Sequence, residues 1–472
     1  MRRFLIIMVA AISAFASIEK LTIDEAVELV KRNNSEVKIA RFKEELAKFD
    51  TKLAKSYNYG QLDLVFNALR SNDAGNVFGF KLQSREATFE DFGFRDFLNG
   101  VGWVLQNAPD YQTFRRYMTD PAMAQQLLST APHDLNFPEA RNHFQTKVTY
   151  KVPLFTGFKL SMYEKISKAM ERMSHLDTKK VLNEKIYQTK KTFYDIALVE
   201  DYIANLKILK QNMERLEEII LSFKEEGYAK HTDVLEVRAK KLEVLSFLNQ
   251  ARLNRDLAYQ FLSFLVGEEV ASIKRPPETP EFVDEDTDKL VEKSIDLKKV
   301  RLAQDITQMN VKLQKSGYYP EIGAFGEYGS SDDKPLNEFF DKDFYTFGAQ
   351  LKWNLFSGGK TRAEVQKAKI KRMQVNEQFH LAKKGLALKI NQLKTAIRSK
   401  EYDIKAQSGQ LELAREIYRM YEEKYKEGLV KVSDVLIKHS EQIQALLALL
   451  KTRTERNQKV FELESLIDKE NR

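Results

Sequence analysis

The stretch KWNLFSGGKTRAEVQKA, residues 352–368, joins an alternating strand pattern to a long helical pattern, and its nature decides the fold of this chain. Two glycines, Lys360-Thr361 and a following helix are also ingredients of the phosphate-binding loop of nucleotide enzymes. The complete motif requires a further glycine at position 354, so that a wide loop can turn its N–H groups onto the phosphates. That residue is Asn354. The residues therefore disfavour a nucleotide enzyme.

The same stretch occurs twice in the chain. KVPLFTGFK at 151–159 matches KWNLFSGGK at 352–360, and EGYAKHTDVL at 226–235 matches EGLVKVSDVL at 427–436, both at an offset of 201. A weaker match joins LVKRNNSEVK (29–38) to LVEKSIDLKK (290–299). The halves are therefore equivalent, and the first carries an insert of roughly 60 residues between about 60 and 145. A catalytic phosphate loop is not expected twice, so the quoted stretch is predicted to be a structural junction.

Composition excludes several classes of protein. Charged residues make up 31% of the 472 residues and the formal net charge is +8, but Lys and Arg alternate with Asp and Glu along the whole chain. We therefore expect solvated helix faces rather than a nucleic-acid-binding patch. The chain has no cysteine, which excludes disulfides, thiolate metal sites and a lipid-modified N-terminal cysteine. Its six histidines show no ligand spacing, so no metal and no other cofactor is predicted.

The N-terminus has the features of a secretory signal peptide. Arg2-Arg3 precede the apolar run 4–11, and Ala14-Phe15-Ala16 supplies a cleavage site between small residues. We expect residues 1–16 to be removed and the mature chain to start near Ser17. No later stretch supplies the ~20 consecutive apolar residues of a transmembrane helix. The sequence thus predicts an exported protein.

Residues around each copy of the junction predict strands. From Phe144 to Leu154 the even positions carry Phe, Thr, Val, Tyr, Val and Leu, with mostly polar residues between them. The same phase at offset 201 gives Tyr345, Phe347, Ala349, Leu351, Trp353 and Leu355. This period-two alternation predicts strands with one apolar and one polar face. Partner strands are predicted upstream at about 57–69 and 318–330, which makes four strands in two antiparallel pairs.

The remainder predicts helices of unusual length. The 69 residues between Gly157 and Gly227 contain neither glycine nor proline, and 360–427 contains only Gly385 and Gly409. At 1.5 Å per residue, each pattern predicts a helix ~100 Å long. Helices about half as long are predicted at 21–55, 233–266, 285–316 and 434–471, so that two stacked end to end match one long helix. The proline-rich linker 268–284 would then lie at mid-height, and the insert is predicted to be helical at about 110–129.

These lengths predict an assembly of several chains. Helices of ~100 Å cannot surround one compact core, because a domain of 150 residues is only about 30 Å across. Four strands cannot close a membrane barrel, for which about eight are needed, and an open sheet edge is not tolerated in lipid. Several chains must therefore pool their strands into a β-barrel that is continued by a helical tube.

The sequence resembles the TolC family of Gram-negative outer-membrane efflux channels over nearly the whole mature chain. The resemblance rests on LTIDEAVELVKRNNSEVKIA (21–40), on LFSGGK with Ala368 at the junction, and on EGLVKVSDVL at a hairpin tip. It implies a mainly α fold with a membrane β-barrel portion: a homotrimer whose 12-stranded barrel continues into a 12-helix periplasmic α-barrel. The first repeat would span 17–267, with an extracellular insert at about 70–143, and the second 285–472, after the equatorial linker 268–284.

The resemblance also implies the function. The chain would be the exit duct of a tripartite efflux or type I secretion system, located in the outer membrane with a large periplasmic portion. It would perform no catalysis, contact outer-membrane lipid, and work with a periplasmic adaptor and an inner-membrane transporter of the RND or ABC class. The insert either partly covers the pore or packs passively.

Three groups of residues are candidates for this function. The periplasmic entrance would carry the carboxylates of Asp233, Glu236 and Asp434, which either attract cations or only cap helix N-termini. The tips that face the adaptor would comprise Gly227, Lys230, Thr232, Gly428, Lys431 and Ser433, with Thr232, Ser433 or the aspartates capping the returning helices. The strand–helix junction would comprise Phe155, Gly157, Trp353, Phe356, Gly358 and Gly359, the rings together with Phe158 forming an aromatic girdle at the membrane surface or ordinary core.

A second class of function remains open at this point. A soluble periplasmic coiled-coil protein, structural or an adaptor, would also contain long helices. It would leave the four strands with matching phase unexplained, and dependence on detergent distinguishes the two.

Overall fold

The computed structural model describes residues 17–277 and 279–468, so the predicted signal peptide lies outside the described residues. Its strands are β1 (Gln61–Ser71), β2 (Arg141–Phe155), β3 (Glu321–Asp332) and β4 (Asp343–Lys352). Its helices are α1 (Ile23–Asn33), α2 (Ser35–Ser56), α3 (Ala74–Gln83), α4 (Phe94–Asn107), α5 (Tyr111–Thr119), α6 (Pro121–Leu128), α7 (His133–Asn136), α8 (Lys159–Glu225), α9 (His231–Val266), α10 (Thr287–Lys293), α11 (Ile295–Lys315), α12 (Lys360–Lys426) and α13 (Val432–Ser465).

The chain divides into two compact units. The sheet unit comprises 52–164 and 312–365, and the helical unit comprises the described residues of 17–51, 165–311 and 366–468. These units cut across the two sequence repeats, because each repeat contributes strands to one unit and helices to the other.

The sheet unit is built on four antiparallel strands in the order β1-β2-β3-β4. The predicted pairs within each half are present, and the additional pairing of β2 with β3 joins the two halves. Strand ends differ slightly from the prediction, since residues 57–59 and 316–318 form short 3₁₀ turns and β4 ends at Lys352, before Trp353.

The predicted two-faced character of the strands is confirmed. The register places Leu64, Val148, Tyr328 and Tyr345 side by side on one face. This face is exposed, with Leu64 at 74% and Phe347 at 77% of full accessibility. On the opposite face, the Lys147 ammonium lies 3.2 Å from the Glu327 carboxylate.

The insert between β1 and β2 contains five helices, α3 to α7, rather than the single predicted helical stretch. Helices α5 and α6 fill that stretch and divide at Asp120, whose carboxylate accepts the N–H of Ala122 at 2.9 Å. The other helices were missed because glycines interrupt their patterns, as at Gly79 and Gly102.

Helices α8 and α12 each contain 67 residues and are uninterrupted, as predicted; Gly385 and Gly409 lie within α12. The predicted helix 21–55 is wrong in one respect, because it breaks at Asn34. The Asn34 side chain caps α2 through the N–H of Val37 at 3.2 Å, and its amide donates to the Leu265 carbonyl at 2.9 Å. The end of α9 therefore meets the start of α2, as the predicted stacking requires.

The second repeat has the same arrangement. The predicted helix 285–316 breaks at Ser294 into α10 and α11, and the predicted helix 434–471 already ends at Ser465 as α13. The N–H of Ile295 donates to the Leu466 carbonyl at 3.3 Å, which joins the two half-length helices.

The first part of the linker 268–284 packs against the middle of α8. Its residues Val270 and Ile273 share an apolar cluster with Leu21, Phe193 and Val266. Among the described residues, no helix combines the length and the hydrophobicity that crossing a membrane would require.

Candidate functional site

The two copies of the junction use the same backbone conformation. Gly157 and Phe158 have φ of +60° and +68°, and Gly358 and Gly359 have φ of +60° and +84°. Two successive left-handed residues turn the chain from each strand region into a long helix, a conformation that glycine adopts without steric cost. The predicted role of the glycines in this turn agrees with this geometry.

The first copy is more tightly packed than the second. A Cβ atom at Gly157 would lie 2.7 Å from the Ser316 carbonyl oxygen, whereas a Cβ at Gly358 or Gly359 would meet nothing within 4 Å. Phe158 adopts a left-handed conformation that is costly for a residue with a side chain. Its ring makes edge contacts with Phe155 at 5.4 Å and with Tyr319 at 6.0 Å, and these contacts compensate for the strain.

The junction aromatics are exposed. Phe158 is 59%, Trp353 54% and Phe356 87% accessible, and the Trp353 indole N–H donates to the Tyr318 carbonyl at 3.1 Å. Exposed rings at the end of an apolar sheet face suit a membrane girdle better than a protein core, so the girdle stays the favoured interpretation.

The hairpin tips are built alike. Gly227 and Gly428, with φ of +85° and +75°, lie two residues beyond the ends of α8 and α12. Beyond them, the N–H of Tyr228 bonds the Phe223 carbonyl at 2.7 Å and that of Leu429 bonds the Lys424 carbonyl at 2.9 Å. These are the predicted glycine C-caps.

The returning helices are capped by the aspartates and not by the hydroxyl residues. Helix α9 begins at His231 and α13 at Val432, so Lys230 and Lys431 are the N-cap residues. The Asp233 carboxylate accepts the N–H of Lys230 at 3.0 Å, and that of Asp434 accepts the N–H of Lys431 at 3.1 Å. The expectation that Thr232 or Ser433 caps is therefore wrong: both lie inside the first helical turn, because each helix starts earlier than predicted.

Glu236 lies one turn beyond Asp233, on the rim of a groove between α9 and α13. The groove has a volume of about 520 Å³ and is lined by Glu236, Ala239, Lys240, Leu436 and Ile437 among others. Ser433 also lines this groove. It thus brings one entrance candidate and one tip candidate together, a proximity that sequence spacing did not reveal.

Comparison with known proteins agrees with this architecture. The profile of the family described as "Outer membrane efflux protein" matches residues 287–468. That match covers the second sequence repeat and less than half of the chain. The chain is also 24% identical to the alkaline protease secretion protein AprF of Pseudomonas aeruginosa over 247 residues. That match covers 49% of this chain and 51% of AprF, so the chain spans about half the length of the curated relative that it matches.

Solved structures show the same fold. Crystal structures of CusC superpose with a TM-score of 0.75 at 12% identity, covering 94% of this chain and 91% of CusC. The outer membrane protein VceC of Vibrio cholerae gives a TM-score of 0.71 at 14% identity, covering 94% of each chain. The open-state MtrE channel of Neisseria gonorrhoeae gives 0.71 at 12% identity, covering 94% and 88%. The predicted TolC-like fold is confirmed. The match of residues 287–468 to outer membrane efflux proteins agrees with the predicted location in the outer membrane with a periplasmic portion. CusC and MtrE are described as channels.

Sequence reasoning missed the residue pairs that join the two helices within each hairpin, as well as the contact between the hairpins. Arg238 Nε donates to the Glu217 carboxylate at 2.7 Å in the first hairpin. The equivalent pair at offset 201 is Tyr418 and His439, whose rings lie 5.4 Å apart. Matching the two repeats position by position would have identified both pairs. Across the hairpins, Arg215 Nε donates to Glu422 at 3.2 Å.

His439 is fully buried, and neither ring nitrogen has a hydrogen-bond partner within the described residues. Burial, together with the Lys240 charge, lowers the pKa of His439 to about 4. The ring therefore stays neutral at neutral pH.

Three carboxylates, those of Glu86, Asp332 and Asp333, approach one another within 4.8 Å in the sheet unit. Lys342 contacts Glu86 and lies 3.0 Å from Asp332, so this cluster is already balanced by a cation.

Proposed function

We propose that this chain is one protomer of a trimeric exit duct, which passively conducts small molecules or secreted protein from the periplasm across the outer membrane. It would serve a tripartite efflux or type I secretion system and perform no catalysis. The observation that carries this proposal is the four-stranded sheet with an exposed apolar face. Such a face is stable in lipid and unfavourable in water, which disfavours the soluble coiled-coil alternative.

The open edges of the sheet support the proposal that further copies of the chain complete it. Strands β1 and β4 are its edges, and each presents unpaired backbone groups in the described chain. Unsatisfied backbone groups cost several kcal/mol each in hydrocarbon. Three copies joined edge to edge would supply the 12 strands of a closed barrel.

The helical unit has matching unpartnered stripes. Ile39, Phe42 and Leu46 of α2 recur at heptad spacing and are 53–68% exposed. On α12, Ile370 and Met373 are 64% and 58% exposed. Each stripe is an apolar seam of the coiled-coil type.

The internal repeat supports one particular pairing of the two stripes. Helix α11 is the repeat equivalent of α2, and it packs against α8 through ion pairs of Lys180 with Asp296 and of Lys299 with Asp177. Because α8 is the repeat equivalent of α12, the same antiparallel pairing one repeat further along would join α2 of one protomer to α12 of its neighbour. Leu46 would then lie opposite Ile370. The two apolar stripes then cover each other.

The tips are proposed as the adaptor-binding end. Gly227, Lys230, Thr232, Gly428, Lys431 and Ser433 surround the turns, and the groove beside Glu236 offers an apolar floor between charged walls. The inner-membrane partner is proposed to be an RND or ABC transporter; the matched relative AprF is described as a secretion protein.

Cysteine cross-linking tests the assembly, because the natural chain contains no cysteine. We expect the double variant Leu46→Cys, Ile370→Cys to form covalent dimers and trimers on oxidation in membranes. The matched control, Leu46→Cys with Leu388→Cys, moves the second thiol about five turns along the exposed face of α12 and should give no covalent dimers or trimers. A protein that is freely soluble and monomeric without detergent would contradict the proposal.

A further inference from the structure

The insert folds back over the polar face of the sheet. Phe80 of α3 stacks on His143 of β2, with ring centroids 4.1 Å apart and planes 5° from parallel. His143 lies on the same face as Lys147, at the end of the sheet opposite to the junction with α8. His143 and Ser331 are only 3% and 1% exposed, so this end of the polar face is covered.

A clamp of charged residues holds the covering segment in place. The Glu86 carboxylate, just beyond α3, contacts both Arg141 of β2 and Lys342 of the β3–β4 loop. Arg141 also donates to the Ser84 hydroxyl at 3.0 Å, and Arg85 donates to the Asp341 carbonyl at 3.1 Å. Burial would raise the pKa of Glu86, but the bonds from Lys342 and Arg141 outweigh it and lower that pKa.

The position of the clamp gives it a consequence for transport. In a barrel with its apolar face towards lipid, the polar face lines the lumen. A helix lying on that face occupies lumen space, and three copies would do so at one level. We propose that α3, held by the Glu86 clamp, is a constriction at the exterior exit of the lumen, a barrier separate from the periplasmic entrance. The inference rests on the proposed function.

The constriction would be releasable because α3 is a single short helix, tied to the sheet by the ring stack of Phe80 on His143 and by the Glu86 clamp. A bulky solute passing outward would therefore displace one short helix and not a strand.

Thiol labelling from outside intact cells tests the barrier. Gln350 is an exposed polar-face residue of β4, well below the insert, and Gln350→Cys would be the single thiol of the chain. A small membrane-impermeant maleimide should label it readily and a bulky polyethylene-glycol maleimide slowly. Glu86→Gln should accelerate labelling by the bulky reagent about tenfold, equivalent to ~1.4 kcal/mol.

Two further variants make the result specific. Glu139→Gln removes the same charge from an exposed position of the same insert and should leave both labelling rates unchanged. Phe80→Ala removes the ring stack while leaving the clamp charges, and should act like Glu86→Gln even if that variant assembles poorly. Equal labelling by both reagents in the parent, or no acceleration in either variant, would overturn the constriction. Failure of even the small reagent to reach Gln350→Cys from outside, with labelling after detergent extraction, would instead contradict the lumen and thus the proposed duct.

Discussion

His439 links the packing of the hairpins to pH. Its ring lies against Tyr418 on α12, faces Lys240 and Glu243 on α9, and lies near the Leu209 carbonyl of α8. Because its pKa falls from 6.5 to about 4 on folding, the unfolded chain binds the proton more readily. The contribution of the neutral ring to the free energy of unfolding is therefore complete above pH 6.5 and is lost as the pH falls towards 4.

We expect the stability of the wild-type helical unit to decline between pH 6.5 and pH 4, by roughly 3 kcal/mol at most, at ~1.4 kcal/mol per unit of pKa shift. His439→Phe keeps an aromatic ring of similar size and should remove this part of the decline. Melting followed by circular dichroism over the pH series measures both. Identical pH profiles for the two proteins would show that the ring does not titrate on unfolding.

The junction glycines should differ in their tolerance of alanine. Gly359→Ala meets only the cost of a left-handed alanine, about 1 kcal/mol. Gly157→Ala adds a Cβ at 2.7 Å from a backbone oxygen and should be clearly more destabilising. Gly385→Ala, in the interior of α12, should stabilise by about 0.5–1 kcal/mol. The temperature at which the assembly dissociates ranks the three, and an equal loss at 157 and 359 would contradict the packing described.

At the scale of the element, the strand phase makes adjacent residues of β4 unequal. Leu351 is 62% exposed on the apolar face, whereas Gln350 lies on the polar face. Leu351→Arg should destabilise the assembly by less than the roughly 2–4 kcal/mol of a mid-bilayer site, because Leu351 lies beside the junction girdle, and Gln350→Arg should be tolerated. The yield of assembled protein in outer membranes measures the difference.

At the scale of the whole molecule, the entrance carboxylates should set the ion preference. Asp233 and Asp434 both cap helices, so alanine would remove a cap and a charge together. The triple variant Asp233→Asn, Glu236→Gln, Asp434→Asn retains hydrogen-bond acceptors and removes only charge. We expect a reduced cation preference in planar bilayers, most clearly at low salt, where screening is weakest. A reversal potential unchanged under a salt gradient would leave these residues as helix caps alone.

The sequence by itself determined the architecture. A duplication at one offset, strands of identical phase and helices free of proline each depend on local rules, namely the period of two, the period of 3.6 and the breakers of helices. The glycine turns at Gly157 and Gly358 were predictable for the same reason, since a left-handed backbone strongly favours glycine.

Only the tertiary structure decided how distant residues meet. The breaks at Asn34 and Ser294 depend on helix ends that approach from the far end of each repeat, and their local signal is only the general preference of Asn and Ser for helix N-caps. Neither the burial of His439 nor the clamp from Glu86 to Arg141 and Lys342 follows from spacing, because the partners are separated by many residues and by intervening elements. Periodicity fixes which face of an element is apolar, but the partner of a charged side chain depends on three-dimensional packing.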